Sequence, residues 1–112
     1  MEEKLQKKYC PMTETIFYTL LALLTPNHGY GIMKFVRELT DGRIKMGTGT
    51  LYTMLGRLVE DKMITVVSEE EGKKTYRITD DGKILLMQEE ERLKQQYENG
   101  KKILTEMQMK GE

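Results

Sequence analysis

Gly47-Thr48-Gly49-Thr50 is the segment of this sequence best equipped to hold an anion. It opens a run of leucines at helical spacing, so its backbone N–H groups lack partners within the helix and face outward as donors. Two glycines permit close approach, and two threonine hydroxyls can donate to a phosphate oxygen or a base edge. Arg43 and Lys45 precede the segment, and Tyr52, Thr53 and Arg57 follow on or near the side opposite the leucines. Further along, Lys73, Lys74 and Arg77 form a second positive cluster. The candidate DNA-contacting set is therefore Lys45, Thr48, Gly49, Thr50, Tyr52, Thr53, Arg57, Lys73, Lys74 and Arg77. From Lys34 to Arg77 there are nine basic and seven acidic residues, an excess of only two, and Glu69, Glu70 and Glu71 oppose an approaching polyanion. By its chemistry the segment serves as well for an ordinary capped helix with a solvated face, and both readings stand at this point.

Other chemistries fit less well. The same string begins like a GxGxxG dinucleotide fingerprint, but Tyr52 stands where the last glycine belongs and no βαβ unit surrounds it. No Gly-Lys-Ser/Thr follows, so it is not a phosphate-binding loop of the Walker type. His28 is the single histidine; it has no evident partner for general-base or nucleophilic work and sits where a helix-start residue caps or packs. Glu89-Glu90-Glu91 reads as a solvated helical face rather than a cation site. One cysteine, Cys10, excludes an intrachain disulfide and, with one histidine, leaves no zinc cluster. Cys10 is expected to be an inert thiol, dispensable for binding. No catalytic residue, metal or cofactor is expected.

The chain that must position these groups has 112 residues, about one domain's worth. Its 38% hydrophobic and 32% charged residues suit a soluble globular fold with one modest core. Eighteen basic and eighteen acidic residues cancel, so nucleic-acid binding would depend on a local patch. No apolar run approaches the ~20 residues of a membrane span, and the N-terminus lacks a secretory h-region. A cytoplasmic location is expected.

Hydrophobic periodicity orders the elements. Ile16, Leu20, Leu23 and Leu24, widened by Phe17 and Leu21, mark a helix over Pro11–Thr25, stopped by Pro26-Asn27. Ile32, Phe35, Val36 and Leu39 face one way on a second helix, from His28 or Gly29 to Thr40. Leu51, Leu55 and Leu58, with Val59, define a third from near Gly47 to near Asp61. The period then drops to two. Met63–Ser68 and Lys74–Thr79, joined by Glu69-Glu70-Glu71-Gly72, read as a hairpin with Tyr76 and Ile78 on one face. Thr79 can cap a last, long helix running to about Met109, with Asp80 and Asp81 favourably placed in its first turn. Asn99-Gly100 could instead end it. The fold class is α+β, mainly α: a winged helix-turn-helix of three helices and a two-stranded β-wing, plus a long C-terminal helix.

Three strings then carry a resemblance. His28-Gly29-Tyr30-Gly31-Ile32, Gly49-Thr50-Leu51-Tyr52-x-x-Leu55-x-Arg57-Leu58 and Tyr76-Arg77-Ile78-Thr79-x-x-Gly82 resemble, in order and spacing, the signatures of the PadR family of bacterial transcriptional regulators. The short tail is similar to the compact branch of that family, with a single C-terminal dimerisation helix. The resemblance covers about residues 10–110 and implies a winged helix-turn-helix repressor that dimerises through that helix. It implies that Leu51, Leu55 and Leu58 are core residues of the recognition helix, that Thr48, Gly49, Thr50, Tyr52 and Thr53 face DNA, and that Tyr30 packs. Two positions depart from the family pattern: Thr53 replaces a common proline after Leu-Tyr, and Lys62 replaces a common glycine before the strand. Lysine there leads one to expect a different helix end.

The expected division is a DNA-binding domain over 1–79 and a dimerisation helix over 80–112. Leu86, Glu90, Leu93, Tyr97, Gly100, Leu104 and Met107 are spaced 4, 3, 4, 3, 4, 3, a heptad seam broken by one charge and one gap. Leu86, Leu93, Tyr97, Leu104 and Met107 are the expected dimer contacts, packing with the first helix. A loose seam of this kind could admit an apolar or aromatic small-molecule effector near Met87, Leu93 and Tyr97, or be purely structural. The expected partners are a double-stranded DNA operator and a second copy of the chain. The alternative is a winged-helix protein-interaction module that binds no DNA.

Overall fold

The computed structural model describes residues 2–109; residue 1 and residues 110–112 of the two expected divisions lie outside it. In chain order the elements are α1 (Glu2–Tyr9), α2 (Glu14–Ala22), β1 (Asn27–His28), α3 (Gly29–Leu39), α4 (Thr48–Glu60), β2 (Ile64–Glu70), β3 (Lys73–Ile78) and α5 (Asp80–Met109). This is the mainly helical, winged arrangement anticipated, with two additions.

The first addition is α1. Among its described side chains the deep anchors are Leu5 and Tyr9, one turn apart among charged neighbours, too thin a stripe to stand out as periodicity. The Tyr9 hydroxyl donates to the Asp61 carboxylate, Lys8 pairs with the same carboxylate at 2.7 Å, and Gln6 reaches Gln88 of α5 at 2.7 Å. Burial, and then the bond to Asp61, push the Tyr9 phenol above its usual value. The second addition is β1. Two residues pair antiparallel with β3, Asn27 opposite Tyr76 and His28 opposite Thr75, giving a sheet of order β1-β3-β2. The Ile78 N–H donating to Leu23 O at 2.8 Å extends that tie toward the end of α2.

The core gathers Leu20, Leu23, Ile32, Val36, Leu51, Leu55, Leu58, Met63, Ile64, Tyr76, Ile78 and Leu85. Several expectations need correction. α2 starts at Glu14 rather than Pro11, because Thr13 takes the cap and accepts from the Ile16 N–H at 3.2 Å. The helix is over before Leu24, which is exposed. Of the expected apolar face of α3 Ile32 and Val36 are buried, whereas Phe35 and Leu39 stand in solvent, so that face is narrower than the spacing implied. Tyr30, expected to pack, is 64% exposed. Glu89 is not part of a solvated face: it is 2% exposed and accepts from the Met12 N–H at 2.8 Å and from Arg92 at 2.9 and 2.8 Å. The Arg92 guanidinium holds its carboxyl below the usual carboxylate range. Burial, then the nearby Glu89 charge, raise the Cys10 thiol, which disfavours the reactive thiolate.

The end of α4 takes the left-handed cap that a glycine would favour, despite the lysine, so the different helix end expected there does not occur. Lys62 adopts φ 60°, the Met63 N–H donates to Leu58 O at 2.9 Å, and the Lys62 N–H donates to Val59 O at 3.0 Å. These two bonds are a Schellman cap with lysine at its left-handed position. A β-carbon is disfavoured there, so Lys62→Gly is expected to stabilise the fold by about 1 kcal/mol. Urea unfolding would show this as a higher midpoint at unchanged slope; a lower midpoint would mean that the lysine side chain contributes more than its backbone costs.

α5 runs unbroken to Met109, through Asn99-Gly100. Its first turns lie on the core through Gly82, Leu85, Leu86 and Glu89. Leu86, expected in an intersubunit seam, is 4% exposed and belongs to the core of its own chain. No described helix is long and apolar enough to cross a membrane.

Candidate nucleic-acid interface

α4 presents two unlike faces. Leu51, Leu55 and Leu58 are fully buried, whereas Thr48, Gly49, Thr50, Tyr52, Thr53, Gly56 and Arg57 are exposed. The helix begins at Gly47 with no side-chain cap, and its first internal bond is the Leu51 N–H donating to Gly47 O at 3.0 Å. The amides of Thr48, Gly49 and Thr50 precede that bond and are presented outward. A β-carbon on Gly47, Gly49 or Gly56 would meet nothing within 4 Å. Packing inside the chain therefore does not require those glycines; Gly49 and Gly56, within the helix, each cost up to ~1 kcal/mol against alanine, whereas Gly47 holds the cap position, where glycine is favoured over alanine. Without β-carbons at these positions the outer face of α4 is open to close approach.

Two depressions flank this face. One, of about 630 Å³, lies between the start of α2 and α4; Thr13, Thr15, Thr50, Thr53 and Arg57 line its polar side, and Ile16, Met54 and Leu58 its apolar side. The other, of about 400 Å³, lies between the start of α3, α4 and the wing, and brings Tyr52 together with Lys73 and Lys74. Lys45 and Arg77 are exposed but line neither. The ion pairs among the described residues are Lys8–Asp61, Arg43–Glu14 and Arg92–Glu89. Arg57, Lys73, Lys74 and Arg77 thus keep their charges uncommitted. Arg43 does not: it holds Glu14 through two bonds of 3.1 and 2.7 Å, so it adds little to the positive approach.

On the wing, β2 and β3 pair Glu69 with Lys74 and Glu70 with Lys73, with an irregularity between Val66 and Ser68. The acids lie directly across from the lysines and offset part of their field. Tyr76 and Ile78 point inward as the alternation predicted. Burial, followed by the neighbouring Tyr52, raises the Tyr76 phenol and keeps it neutral.

His28 caps α3: its Nδ1 accepts from the Gly31 N–H at 3.1 Å, the structural role foreseen for it. Two contacts escaped sequence reasoning. A β-carbon on Gly29 would overlap the Tyr52 hydroxyl and fall 2.7 Å from its Cζ, and one on Gly31 would overlap the Asn27 side chain. Both join residues of separate elements, and no local pattern announces them.

On α5, Met87, Leu93, Tyr97, Leu104 and Met107 are exposed. Leu93, Tyr97, Gly100 and Leu104 line one open strip, and Met87 lies outside it.

The transcriptional regulator PadR-like family matches residues 18–88. A transcriptional regulator from Clostridium thermocellum superposes with a TM-score of 0.61 at 29% identity, over 82% of this chain and 86% of that one. A PadR family transcriptional regulator from Eggerthella lenta superposes with a TM-score of 0.68 at 25% identity, over 91% and 87%. The transcriptional regulator YqjI of Escherichia coli is 38% identical over 56 residues, half of this chain but only 27% of that protein's length.

Proposed function

The chain belongs to the PadR-like family of transcriptional regulators, a family of regulators rather than enzymes, and from that premise we propose that it is a sequence-specific, homodimeric DNA-binding repressor. The observation that carries the reading is the outer face of α4. It is small, polar and uncapped, bears glycines with open space around them, and is flanked by uncommitted cations. In this reading α4 enters the major groove. Thr48, Gly49, Thr50, Tyr52 and Thr53 meet base edges and phosphates, Arg57 and Lys45 meet the backbone, and Lys73, Lys74 and Arg77 hold the flanking strand. Residues 1–79 act as the DNA-binding domain and 80–112 as the dimerisation helix. Two copies joined along α5 would set their recognition helices about 34–36 Å apart, one helical turn of DNA. A small apolar or aromatic effector seated beside Leu93 and Tyr97 at that seam would release DNA only by binding a splayed dimer more tightly than the DNA-bound one.

Tyr52→Ala and Thr50→Ala are each expected to weaken operator binding by about 1–3 kcal/mol, the range of a good base or phosphate contact, while the domain stays folded. Lys73→Ala or Lys74→Ala should weaken operator and random DNA alike and flatten the salt slope. An electrophoretic shift on the DNA upstream of the protein's own gene, repeated across salt concentrations, checks both. The wing-tip acids and zero net charge favour the alternative of a protein-interaction module; little binding at any salt would establish that alternative instead.

A further inference from the structure

Tyr30 stands at the start of α3 between two glycines, outside the buried core. Gly29 lacks a β-carbon where the Tyr52 phenol lies, and Gly31 lacks one where the Asn27 side chain lies, so the backbone on both sides of Tyr30 is pressed against its neighbours. The Tyr30 side chain is left 64% exposed. It forms a wall of the 400 Å³ cleft whose other principal groups are Tyr52, Tyr76, Lys73, Lys74 and His28. His28 accepts a hydrogen bond at Nδ1, which leaves the proton of its neutral ring on Nε2 as a donor. Among the described residues no acidic side chain lines this cleft, whereas a neighbouring depression on the wing is lined by Glu70 and Glu71. The lining of the cleft thus offers phenol, imidazole and ammonium donors, a set suited to an anion with several acceptor oxygens, while Glu69 and Glu70, paired across the wing from Lys74 and Lys73, stand outside the lining and offset part of the lysines' charge.

We propose that this cleft seats one phosphodiester linkage of the bound DNA backbone in each half-site, with Tyr30 as a contacting residue and Gly29 as the residue that positions Tyr52 on its opposite wall. The proposal rests on the DNA-binding reading of α4 and extends it to a site that α4 alone does not form. Backbone contacts fix register and orientation without reading sequence. Tyr30 would therefore set where α4 sits in the groove, and Tyr52 would stand between the two functions.

The test compares Tyr30→Ala, Tyr30→Phe and Tyr52→Ala on operator and random duplexes. A hydrogen bond to a charged group corresponds to a loss of about tenfold or more. Tyr30→Ala should lose that much on both duplexes, leaving the operator-to-random ratio unchanged, and Tyr30→Phe should reproduce the loss of the hydroxyl. A scan of operators with a single neutral methylphosphonate should then reveal one linkage per half-site that weakens the unaltered protein but not Tyr30→Ala. If Tyr30→Ala binds both duplexes normally while Tyr52→Ala is impaired, the cleft is not a phosphate seat, although α4 still reads DNA. If neither variant is impaired, the reading of α4 falls and this proposal with it. Gly29→Ala should weaken binding in the presence of Tyr52 but have no further effect in a Tyr52→Ala background; an equal loss in both backgrounds would refute the positioning role.

Discussion

Gly82→Ala is expected to destabilise the protein by about 3 kcal/mol, although it exchanges the poorer helix former for the better one. Gly82 lies in the first turn of α5, where that helix crosses the connection between α4 and β2. A β-carbon there would overlap the Met63 carbonyl oxygen and approach Ile78 Cγ1 at 2.9 Å and the Met63 carbonyl carbon at 3.1 Å. Two of these three neighbours are backbone atoms, so no side-chain rotation relieves the overlap. The surrounding hydrogen bonds resist a shift of the helix. Thr79 N–H donates to Met63 O at 3.0 Å, the Thr79 hydroxyl lies 2.7 Å from Lys62 O and 3.0 Å from Met63 O, and the Gly82 N–H donates to that hydroxyl at 3.1 Å. Overpacking costs about 1–3 kcal/mol, each strained hydrogen bond adds about 1, and the better helix propensity of alanine returns at most about 1. For a domain of this size the net corresponds to a melting temperature lower by roughly 10–20 °C. Urea unfolding followed by circular dichroism measures it directly. A variant that unfolds at the wild-type midpoint would mean that α5 does not make this close approach.

This contact explains why the third signature in the sequence ends on a glycine three residues after a threonine. The threonine caps α5 and binds the previous turn, and the glycine lets α5 lie against that turn. The local signals were legible because each element states its own periodicity. The three leucines of α4 announce both its buried face and, by exclusion, the face offered to a partner; the alternation Tyr76, Ile78 does the same for β3. What stayed hidden depends on pairs distant in sequence. Gly29 and Tyr52 are 23 positions apart, and only the folded chain shows that one makes room for the other. Glu89 looked solvated among three acids because burial of a carboxylate depends on donors supplied from elsewhere, here Met12 and Arg92. α1 escaped because two anchoring residues among six others carry little periodic signal. Leu86 fits a heptad on spacing, but a helix that first crosses a core and then leaves it changes the meaning of its stripe along its length. Lys62 shows the opposite relation: the residue type argued for a different helix end, and the two backbone bonds of the cap prevailed over a local cost of about 1 kcal/mol.

Truncation after Arg92 is expected to give a folded monomer that binds operator DNA about a hundredfold or more weakly, the loss expected when two linked sites become one. The retained part keeps every anchor of α5 on the core, from Gly82 to Glu89, together with the Arg92 guanidinium that holds Glu89. The removed part is different. From Leu93 onward each described residue of α5 is exposed, with Leu93 at 37%, Tyr97 at 67%, Ile103 at 53%, Leu104 at 63% and Met107 at 44%. These 17 residues extend about 25 Å at 1.5 Å per residue, and an isolated helix of that length is marginal in water without a packed face. Leu93, Tyr97, Gly100, Leu104 and Met107 retain the 4, 3, 4, 3 spacing of a seam, so the occupant that fits is a second, antiparallel or parallel copy of the same helix. Full-length protein should then show a urea midpoint that rises with protein concentration, because folding and association are linked. The truncated protein should show none, and should sediment as a monomer. Its midpoint at low concentration should lie close to that of the full chain, since it gives up almost no intrachain packing. A truncated protein that stays dimeric in sedimentation would reject this interface and place the dimer contact in the first four helices or the wing; a truncated monomer that still binds operator at full affinity would show that one recognition helix suffices.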